Sequence, residues 1–197
     1  MSVEFIRGPN VYLREMTPSD LTNIHASLVD WSWFPYSVDE TKNVMRPHLQ
    51  NLRYLERPYK DNARYWESFA VCKVSDNSFV GFRTLKIDNK KGEILFNAAL
   101  PAFRGQGLMN EAAKLLDAAL FTELNCTSYT NKLDPEYITS LRPYHTLEST
   151  EFSQRSNRTL KLVKVTKDDY DTWAAANSSS VPSYTFSGGS YTPPQDR

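Results

Sequence analysis

Residues 93–120 read EILFNAALPAFRGQGLMNEAAKLLDAAL. The run EILFNAAL is apolar at nearly every position, which is typical of a central strand covered on both faces. Pro101 ends this strand, and the turn Arg-Gly-Gln-Gly follows at residues 104–107. Beyond the turn, apolar side chains recur at helical spacing, at Leu108, Ala112, Leu115, Leu116 and Ala119. The stretch therefore predicts a strand, a glycine turn and an amphipathic helix in succession.

A glycine turn at the start of a helix is suited to holding phosphate. The backbone N–H groups of the first helical turn lack intrahelical partners and converge where the helix dipole is positive. Glycine at these positions lets a diphosphate approach the backbone, which a Cβ would prevent. Arg104 adds a charged donor beside the turn. The alternative for Gly105 and Gly107 is a tight turn that holds no ligand.

Spacing distinguishes the phosphate-binding patterns that use such a turn. The dinucleotide fingerprint needs a third glycine where Asn110 stands, and the P-loop needs Gly-Lys followed by Ser or Thr, which is absent. The remaining pattern, Arg/Gln-x-x-Gly-x-Gly/Ala, is matched at Arg104 and Gly107, with Met109 in the usual small-residue position. In this turn the chain resembles the GCN5-related N-acetyltransferases (GNAT family), which bind acetyl-CoA.

The resemblance extends over residues 11–173. The opening VYLREMTPSDL, the hairpin VCKVSDNSFVGF and the closing RTLKLVKVTKDDYDTW are similar to the branch that acetylates ribosomal proteins and N-terminal amines, the RimJ/RimL-like branch. NEA, directly after the turn, is similar to the Thr-Glu-Ala common in that branch. The implied fold class is α+β in three layers: a mixed, mostly antiparallel sheet with helices on both faces and a splayed central strand pair.

The resemblance also implies which residues meet the co-substrate acetyl-CoA. Main-chain groups along the bulged strand would contact the thioester and pantetheine, and the glycine turn would hold the diphosphate. The implied acetyl-CoA-binding residues are Phe96, Ala98, Leu100, Arg104, Gly105, Gln106, Gly107, Leu108, Met109 and Ser140. Glu111, in the first turn of the helix, is interpreted as structural, because its charge would repel a diphosphate.

Three candidate catalytic residues follow from the same likeness. Tyr144 stands four residues after Ser140, and the tyrosine that protonates the departing thiolate in the family follows a serine at the same spacing. Tyr137 and Pro143 depart from the family's pattern. The alternative for Tyr144 is ordinary packing. Asn97 is the polar residue inside the apolar strand. Its side chain either faces the cleft or has its hydrogen bonds satisfied at a β-bulge. Glu93 is the candidate base, with Glu67 as a second candidate and a solvated edge charge as the alternative for each.

An aromatic cluster is the candidate acceptor site. The resemblance places the segment WSWFPY beside the amine-binding groove, so Trp31, Trp33, Phe34 and Tyr36 are candidate substrate-binding residues; a small satellite core is the alternative. The three histidines, His25, His48 and His145, show no ligand spacing, so we expect no metal.

Composition narrows the partners. The chain has 23 basic and 23 acidic residues, which argues against a general nucleic-acid or anionic-membrane binder. Cys72 and Cys126 are interpreted as two buried thiols in a reducing compartment, and no stretch is apolar enough for a signal peptide or membrane span. We therefore expect a cytoplasmic enzyme that acts on a protein N-terminus or a small-molecule amine.

The last 21 residues differ in composition from the rest. Residues 1–176 are predicted to form the acetyltransferase domain, whereas residues 177–197, NSSSVPSYTFSGGSYTPPQDR, are rich in Ser, Gly, Pro and Tyr. With so few aliphatic side chains, this tail is predicted to be disordered or docked on a partner, as in a homodimer or another assembly. The alternative function is a catalytically weakened GNAT-like module that assembles with partners through this tail.

Overall fold

The computed structural model describes residues 4–28, 37, 39–40, 64–135, 141–154 and 157–188 of the 197-residue chain. Within them, nine strands form one sheet in the order β7-β8-β6-β5-β4-β3-β2-β1-β9. The strands are β1 Glu4–Arg7, β2 Val11–Glu15, β3 Arg64–Lys73, β4 Phe79–Asp88, β5 Lys91–Ala99, β6 Ser128–Leu133, β7 Thr146–Ser153, β8 Arg158–Thr166 and β9 Thr185–Phe186. The pairing of β5 with β6 is parallel, and every other pairing in this sheet is antiparallel.

The described helices are α1 Leu21–Leu28, α2 Leu108–Ala118 and α3 Lys167–Ala176. Short 3-10 turns precede α1, at Pro18–Asp20, and follow β5, at Pro101–Phe103. Helix α2 widens into a π-helical turn at Ala119–Glu123. Among these described helices, none has the length and hydropathy that a bilayer-spanning segment requires.

Two hydrophobic clusters lie on opposite faces of the sheet. The larger one packs α2 and α3 against one face, and its members include Phe5, Leu13, Phe69, Leu85, Leu115, Leu116, Tyr129 and Tyr170. The smaller one packs α1 against the other face, and its members include Met16, Ile24, Leu28, Ala70, Phe82 and Ala98. The predicted mixed, mostly antiparallel sheet with helices on both faces is confirmed.

The central strands β5 and β6 separate part of the way along their length. Their pairing runs from Lys91 with Ser128 to Ile94 with Asn131, although β5 continues to Ala99. At the same point the register between β4 and β5 shifts, because Leu85 pairs with Ile94 whereas Thr84 pairs with Phe96. Leu95 is thus the extra residue of a β-bulge, which bends the strand away from its neighbour. We call the region beyond Ile94 and Asn131 the β5–β6 gap.

Glu111 joins the start of α2 to the distant turn between β1 and β2. Its Oε1 accepts the backbone N–H groups of Asn10 and Val11 at 2.9 and 3.2 Å, and its Oε2 accepts from Asn10 Nδ2 at 2.8 Å. Gly8 permits this approach, since a Cβ there would lie 2.8 Å from Leu115 Cδ1 and 3.0 Å from Glu111 Oε1. The structural interpretation of Glu111 is therefore confirmed.

The first part of the tail packs on its own domain, which differs from the predicted disorder or partner docking. Strand β9 pairs with β1, and the backbone N–H groups of Ser187 and Gly188 both donate to the carbonyl of Phe5. The Phe186 ring meets that of Phe5 edge-on at 5.1 Å. Tyr184 donates its hydroxyl to Glu123 at 2.9 Å. The open edge of β1 supplies the backbone partners that the composition of the tail does not reveal.

Several predicted features lie outside the described residues. The predicted acceptor residues Trp31, Trp33, Phe34 and Tyr36 and the predicted acetyl-CoA contact Ser140 are among them. The division of the chain at residue 176 stays a prediction.

Candidate active site

The glycine turn ahead of α2 has an open surface. Gly105 and Gly107 adopt φ of +73° and +77°, and a Cβ built on either one has no atom within 4 Å. Both residues are exposed, as are Arg104 and Gln106. The left-handed conformation accounts for glycine at both positions, and the free space in front of them leaves room for a ligand to reach the backbone.

The first turn of α2 is left uncapped by the described side chains. Gly107 occupies the N-cap position, where it has no side chain to offer the N–H groups behind it. Glu111, the acidic residue of that turn, is engaged with Asn10 and Val11 instead. The Gln106 side chain turns back to the carbonyl of Ala102 at 2.8 Å, away from these N–H groups. The start of α2 therefore offers backbone donors at the positive end of the helix dipole.

Met109 fits the site because β4 has a glycine beneath it. A Cβ on Gly81 would lie 3.0 Å from Met109 Sδ and 2.2 Å from the carbonyl oxygen of Ala98. The methionine side chain thus packs towards the sheet, where it joins Leu108 and Phe103 at the margin of the larger cluster. A large residue in the usual small-residue position is accommodated in this way.

The predicted residues 96–100 come after the last pairing of β5 with β6. Asn97 pairs across the sheet with Arg83 and is half-buried, and the backbone of Phe96 pairs with Thr84. Ala98 is buried in the smaller cluster, against which Leu100 packs, on the face that carries α1. Arg104 Nε and Nη2 each lie 3.3 Å from the carbonyl oxygen of Ala99, so this side chain follows the end of the strand.

Tyr144 lies in a buried polar cluster on the α2 face. Its side chain is 4% exposed, and its hydroxyl donates to Asp117 Oδ2 at 2.7 Å. The Arg142 guanidinium donates to the same carboxylate oxygen. The residues around Tyr144 form a turn rather than a helix, with the N–H of His145 bonded to the carbonyl of Arg142, as Pro143 would favour. Burial, and then the charge of Asp117, raise the pKa of Tyr144 well above its usual range.

Two further aromatic groups complete this cluster. The hydroxyl of Tyr129 lies 3.3 Å from Nε2 of His145. Burial, and next the positive charge of Arg142, lower the pKa of His145 to about 4, so its imidazole is neutral at pH 7. Burial raises the pKa of Tyr129 as well, and the charge of Asp117 adds to the effect. Both tyrosines therefore keep their protons across the physiological range.

Arg83 is a member of this cluster that the sequence did not reveal. It lies on β4, is 6% exposed, and its Nε has no hydrogen-bond partner among the described residues. Asn131, on β6 at the last pairing with β5, is 7% exposed, and its Oδ1 is likewise unpartnered within the described part of the chain. In the sequence alone, a single arginine within a strand looks like a solvent-exposed charge at the edge of a sheet. The one signal in the sequence is its position among buried apolar residues in FVGFRTLKI.

Glu93 lies apart from the polar cluster. It pairs across the sheet with Lys86, and Lys86 Nζ lies 3.7 Å from Glu93 Oε2. Its neighbour Ile94 belongs to the α2-side cluster, and because successive side chains in a strand alternate, Glu93 faces the α1 side. Glu93 and Tyr144 are therefore on opposite faces of the sheet. For Glu67, the backbone pairs with Leu85 on β4.

Comparison with known proteins shows the family of the chain. The model of the acetyltransferase (GNAT) domain matches residues 10–145, so the chain belongs to the GNAT acetyltransferase family. No match was found among curated protein sequences. Among the described residues, no three or more His, Cys, Asp or Glu side chains are grouped so that they could hold a metal ion.

Solved structures share the fold at low identity. An acetyltransferase of the GNAT family from Bacillus anthracis superposes with a TM-score of 0.64 at 16% identity, over 83% of this chain and 99% of that one. A spermidine N-acetyltransferase SpeG chimera from Vibrio cholerae and hSSAT gives 0.62 at 18%, over 83% and 99%. A protein assigned as a ribosomal-protein-serine acetyltransferase from Vibrio cholerae gives 0.60 at 14%, over 84% and 97%.

Proposed function

We propose that this protein transfers the acetyl group of acetyl-CoA to a primary amine, either a protein N-terminus or a small molecule. The observation that carries this proposal is the uncapped start of α2 next to the β5–β6 gap. The first feature supplies donors for a diphosphate, and the second supplies room for an extended thioester arm. Membership of the GNAT family, whose members use acetyl-CoA, supports the same conclusion.

The glycine turn would hold the diphosphate through backbone N–H groups. We assign this role to residues 105–109, with the guanidinium of Arg104 as an added charge. The pantetheine arm would then run along β5 from Leu100 towards Ala98 and Phe96, where strand β6 no longer occupies the hydrogen-bonding edge. Ser140 would complete the binding site from the segment before Arg142.

Tyr144 is the proposed source of the proton for the thiolate. Its raised pKa keeps the hydroxyl protonated at neutral pH, but it also makes Tyr144 a weaker acid than a free phenol while Asp117 stays beside it. In the structure that proton is directed to Asp117. The hydroxyl must therefore rotate away from Asp117 before it can donate its proton to the sulfur. Otherwise the sulfur must stay ionised until a proton reaches it.

Asn97 and Glu93 are proposed to serve the acceptor amine. The Asn97 amide can hold the reacting groups at the bulge, since it points to the α2 face beside Arg83. Glu93 can draw the amine proton away through water, from the α1 face. We propose that the aromatic residues Trp31, Trp33, Phe34 and Tyr36 form the groove for the acceptor.

The proposed acceptor classes are taken from the substrates named in the descriptions of two structural relatives. One of these acts on spermidine and another on a ribosomal-protein serine, by their descriptions. We propose that this chain is a cytoplasmic enzyme of the RimJ/RimL-like branch. The balanced charge of the chain favours neither nucleic acid nor membrane as a partner.

Thermal melting with and without acetyl-CoA tests the proposal. Ligand at a hundredfold excess over Kd should stabilise the protein by about 2.7 kcal/mol. Gly107→Glu should abolish this shift, because its carboxylate would occupy the diphosphate position. Gly107→Asn is the matched control, since asparagine tolerates the left-handed backbone and carries no charge, and it should keep part of the shift.

The outcome also decides between the two candidate functions. If millimolar acetyl-CoA leaves the wild-type melting temperature unchanged, the transferase proposal fails, and a GNAT-like interaction module is the better description. An equal shift in wild type and Gly107→Glu would place the ligand elsewhere and remove the role of the glycine turn.

A further inference from the structure

Among the described residues, Arg83 is a buried cation without a carboxylate of its own. The described charged and titratable groups that interact with it electrostatically are Asp117 on α2, Arg142, Tyr144 and His145 in the turn before β7, and Tyr129 on β6. Two guanidinium groups thus face one carboxylate. Both tyrosines are protonated and His145 is neutral at pH 7, so none of these three groups supplies a negative charge.

The single carboxylate is already committed. Asp117 Oδ2 accepts from the Tyr144 hydroxyl and contacts Arg142, whereas Arg83 Nε has no partner within the described residues. A buried charge without a partner is costly and is seldom retained unless it has a use. The pKa of Arg83 is lowered to about 10 by burial and then by the charge of Arg142, and the side chain remains protonated at pH 7.

The position of Arg83 relates it to the β5–β6 gap. Arg83 on β4 pairs directly with Asn97 on β5. Asn97 is three residues past Ile94, where the pairing of β5 with β6 ends. One pleat further along the same face, Gly81 pairs with Ala99, and Met109 of α2 lies over Gly81. A ligand arm that leaves the start of α2 and follows β5 inward therefore meets Arg83 about 7 Å further on, at two strand residues of about 3.3 Å each. The unpartnered Oδ1 of Asn131 lies on the opposite side of the gap.

We propose that Arg83 stabilises the coenzyme A thiolate as it leaves during acetyl transfer. This inference rests on the proposed function. The amine nitrogen forms a bond to the thioester carbonyl carbon, the carbon–sulfur bond breaks, and its electron pair stays on sulfur. The guanidinium of Arg83 donates N–H to that sulfur and matches its charge. The amine proton passes to water, and the thiolate takes up a proton either from Tyr144 or from solvent after release.

The other polar groups of the cluster are less suited to this role. Arg142 is paired with Asp117, and the Tyr144 hydroxyl donates to the same carboxylate. Asn97 and Asn131 carry no charge. Arg83 alone among the described residues of this cluster combines a full positive charge with an N–H group that has no acceptor.

The test is the pKa of the thiol of coenzyme A bound to the full-length protein, followed by the ultraviolet absorbance of the thiolate as pH is raised. The acetyl-CoA complex, which has no free thiol, is the blank. A neighbouring guanidinium should lower the pKa of the bound thiol by about 1 to 3 relative to the pKa of free coenzyme A measured in the same buffer. In Arg83→Gln the pKa should return to the free value, and Arg83→Lys should retain part of the decrease.

Arg14→Gln is the matched control, because Arg14 is a partly buried arginine on β2 that is paired with Asp20 at 2.7 Å. It should leave the pKa of the bound thiol unchanged. Arg83→Gln should still be stabilised by acetyl-CoA, because the diphosphate site lies on α2. If Arg83→Gln does not fold, Arg83→Lys decides instead: a partial loss of the decrease supports the role of the guanidinium, and a bound-thiol pKa equal to that of the wild type overturns it.

The two ideas fail in different ways. If acetyl-CoA raises the melting temperature of wild type but the bound thiol titrates as the free thiol does, Arg83 has no role at sulfur and the proposed function stands. An unchanged thiol pKa in Arg83→Gln overturns the inference equally. If neither coenzyme A nor acetyl-CoA shifts the melting curve of wild type, the proposed function fails and this inference fails with it.

Discussion

The hydroxyl of Tyr144 donates a 2.7 Å hydrogen bond to Oδ2 of Asp117, and both side chains are almost completely buried. These two residues are 27 positions apart, on α2 and on the turn before β7. The contact fixes the turn before β7 against the helix that begins at the glycine turn. It also makes Asp117 the negative charge on which Arg142 and Arg83 both depend.

We expect Asp117→Asn to destabilise the protein strongly. The change keeps the size of the side chain but leaves buried guanidinium charge without a counterion, which should cost about 3 to 5 kcal/mol. Urea denaturation would measure the loss. Asp171→Asn is the control, since Asp171 forms an exposed pair with Lys167 on α3 and should change stability by less than about 0.5 kcal/mol. Equal effects of the two variants would contradict a central role for Asp117.

The burial of His145 predicts a pH-dependent loss of stability. Its pKa is about 4 in the folded protein against 6.5 in a model peptide, so the unfolded chain binds the extra proton between these values. The stability contributed by neutral His145 is complete above pH 6.5 and is lost as pH falls towards 4. Because the side chain is partly exposed, we expect a loss of about 2 kcal/mol rather than the full value.

Denaturation curves at pH 7 and pH 4.5 would measure this effect in wild type and in His145→Gln. The variant lacks the titrating group and should lose less stability over that interval. His25→Gln, on α1, is the control and should behave as wild type does. A wild-type protein as stable at pH 4.5 as at pH 7 would show that His145 takes up its proton without cost.

Gly81 and Gly105 should respond differently to the same substitution. A Cβ on Gly81 would lie 2.2 Å from the carbonyl oxygen of Ala98, so Gly81→Ala must separate β4 from β5 and should cost about 3 kcal/mol or more. Gly105→Ala has space around the new methyl group and incurs the cost of its positive φ, about 1 to 2 kcal/mol. Thermal unfolding of both variants would decide, and a smaller cost at Gly81 would contradict the close contact with β5.

Truncation of the tail should lower stability in a position-dependent way. Ending the chain after Ala176 removes β9, the Phe186–Phe5 contact and the Tyr184–Glu123 hydrogen bond. We expect a loss of about 2 kcal/mol, or a fall in Tm of about 4 to 8 °C. Ending the chain after Gly188 keeps all three and should leave Tm unchanged. If the shorter chain melts like the full one, β9 contributes nothing to the isolated domain.

The parts of the site that depend on local spacing were predictable from sequence. The order of apolar strand, Pro101, glycine turn and helix is contained in one continuous stretch, and its backbone requirements are visible in Gly105 and Gly107. The hairpin of β3 and β4 follows from its turn residues, and a structural role for Glu111 follows from a charge that a diphosphate would repel, although its partners Asn10 and Val11 were not predicted.

The parts that depend on distant contacts were not predictable. Arg83 becomes a functional candidate when Asp117 and Arg142, from separate segments, pack beside it. Glu93 and Asn97 lie on opposite faces of the sheet because the bulge at Leu95 changes the side-chain alternation along β5, and the sequence does not show this bulge. Composition suggested a disordered tail because it describes the tail alone. The edge of β1 that receives Phe186 belongs to the other end of the chain.

The contact between Glu111 and the amides of Asn10 and Val11 has a mechanical consequence. Any molecule that tightens the leading turn of α2 must also tighten the loop between the first two strands, since one carboxylate holds both. Loading the diphosphate pocket should thus slow amide hydrogen exchange at these loop residues, remote from the chemistry, and severing the tie with Glu111→Gln should weaken that remote protection.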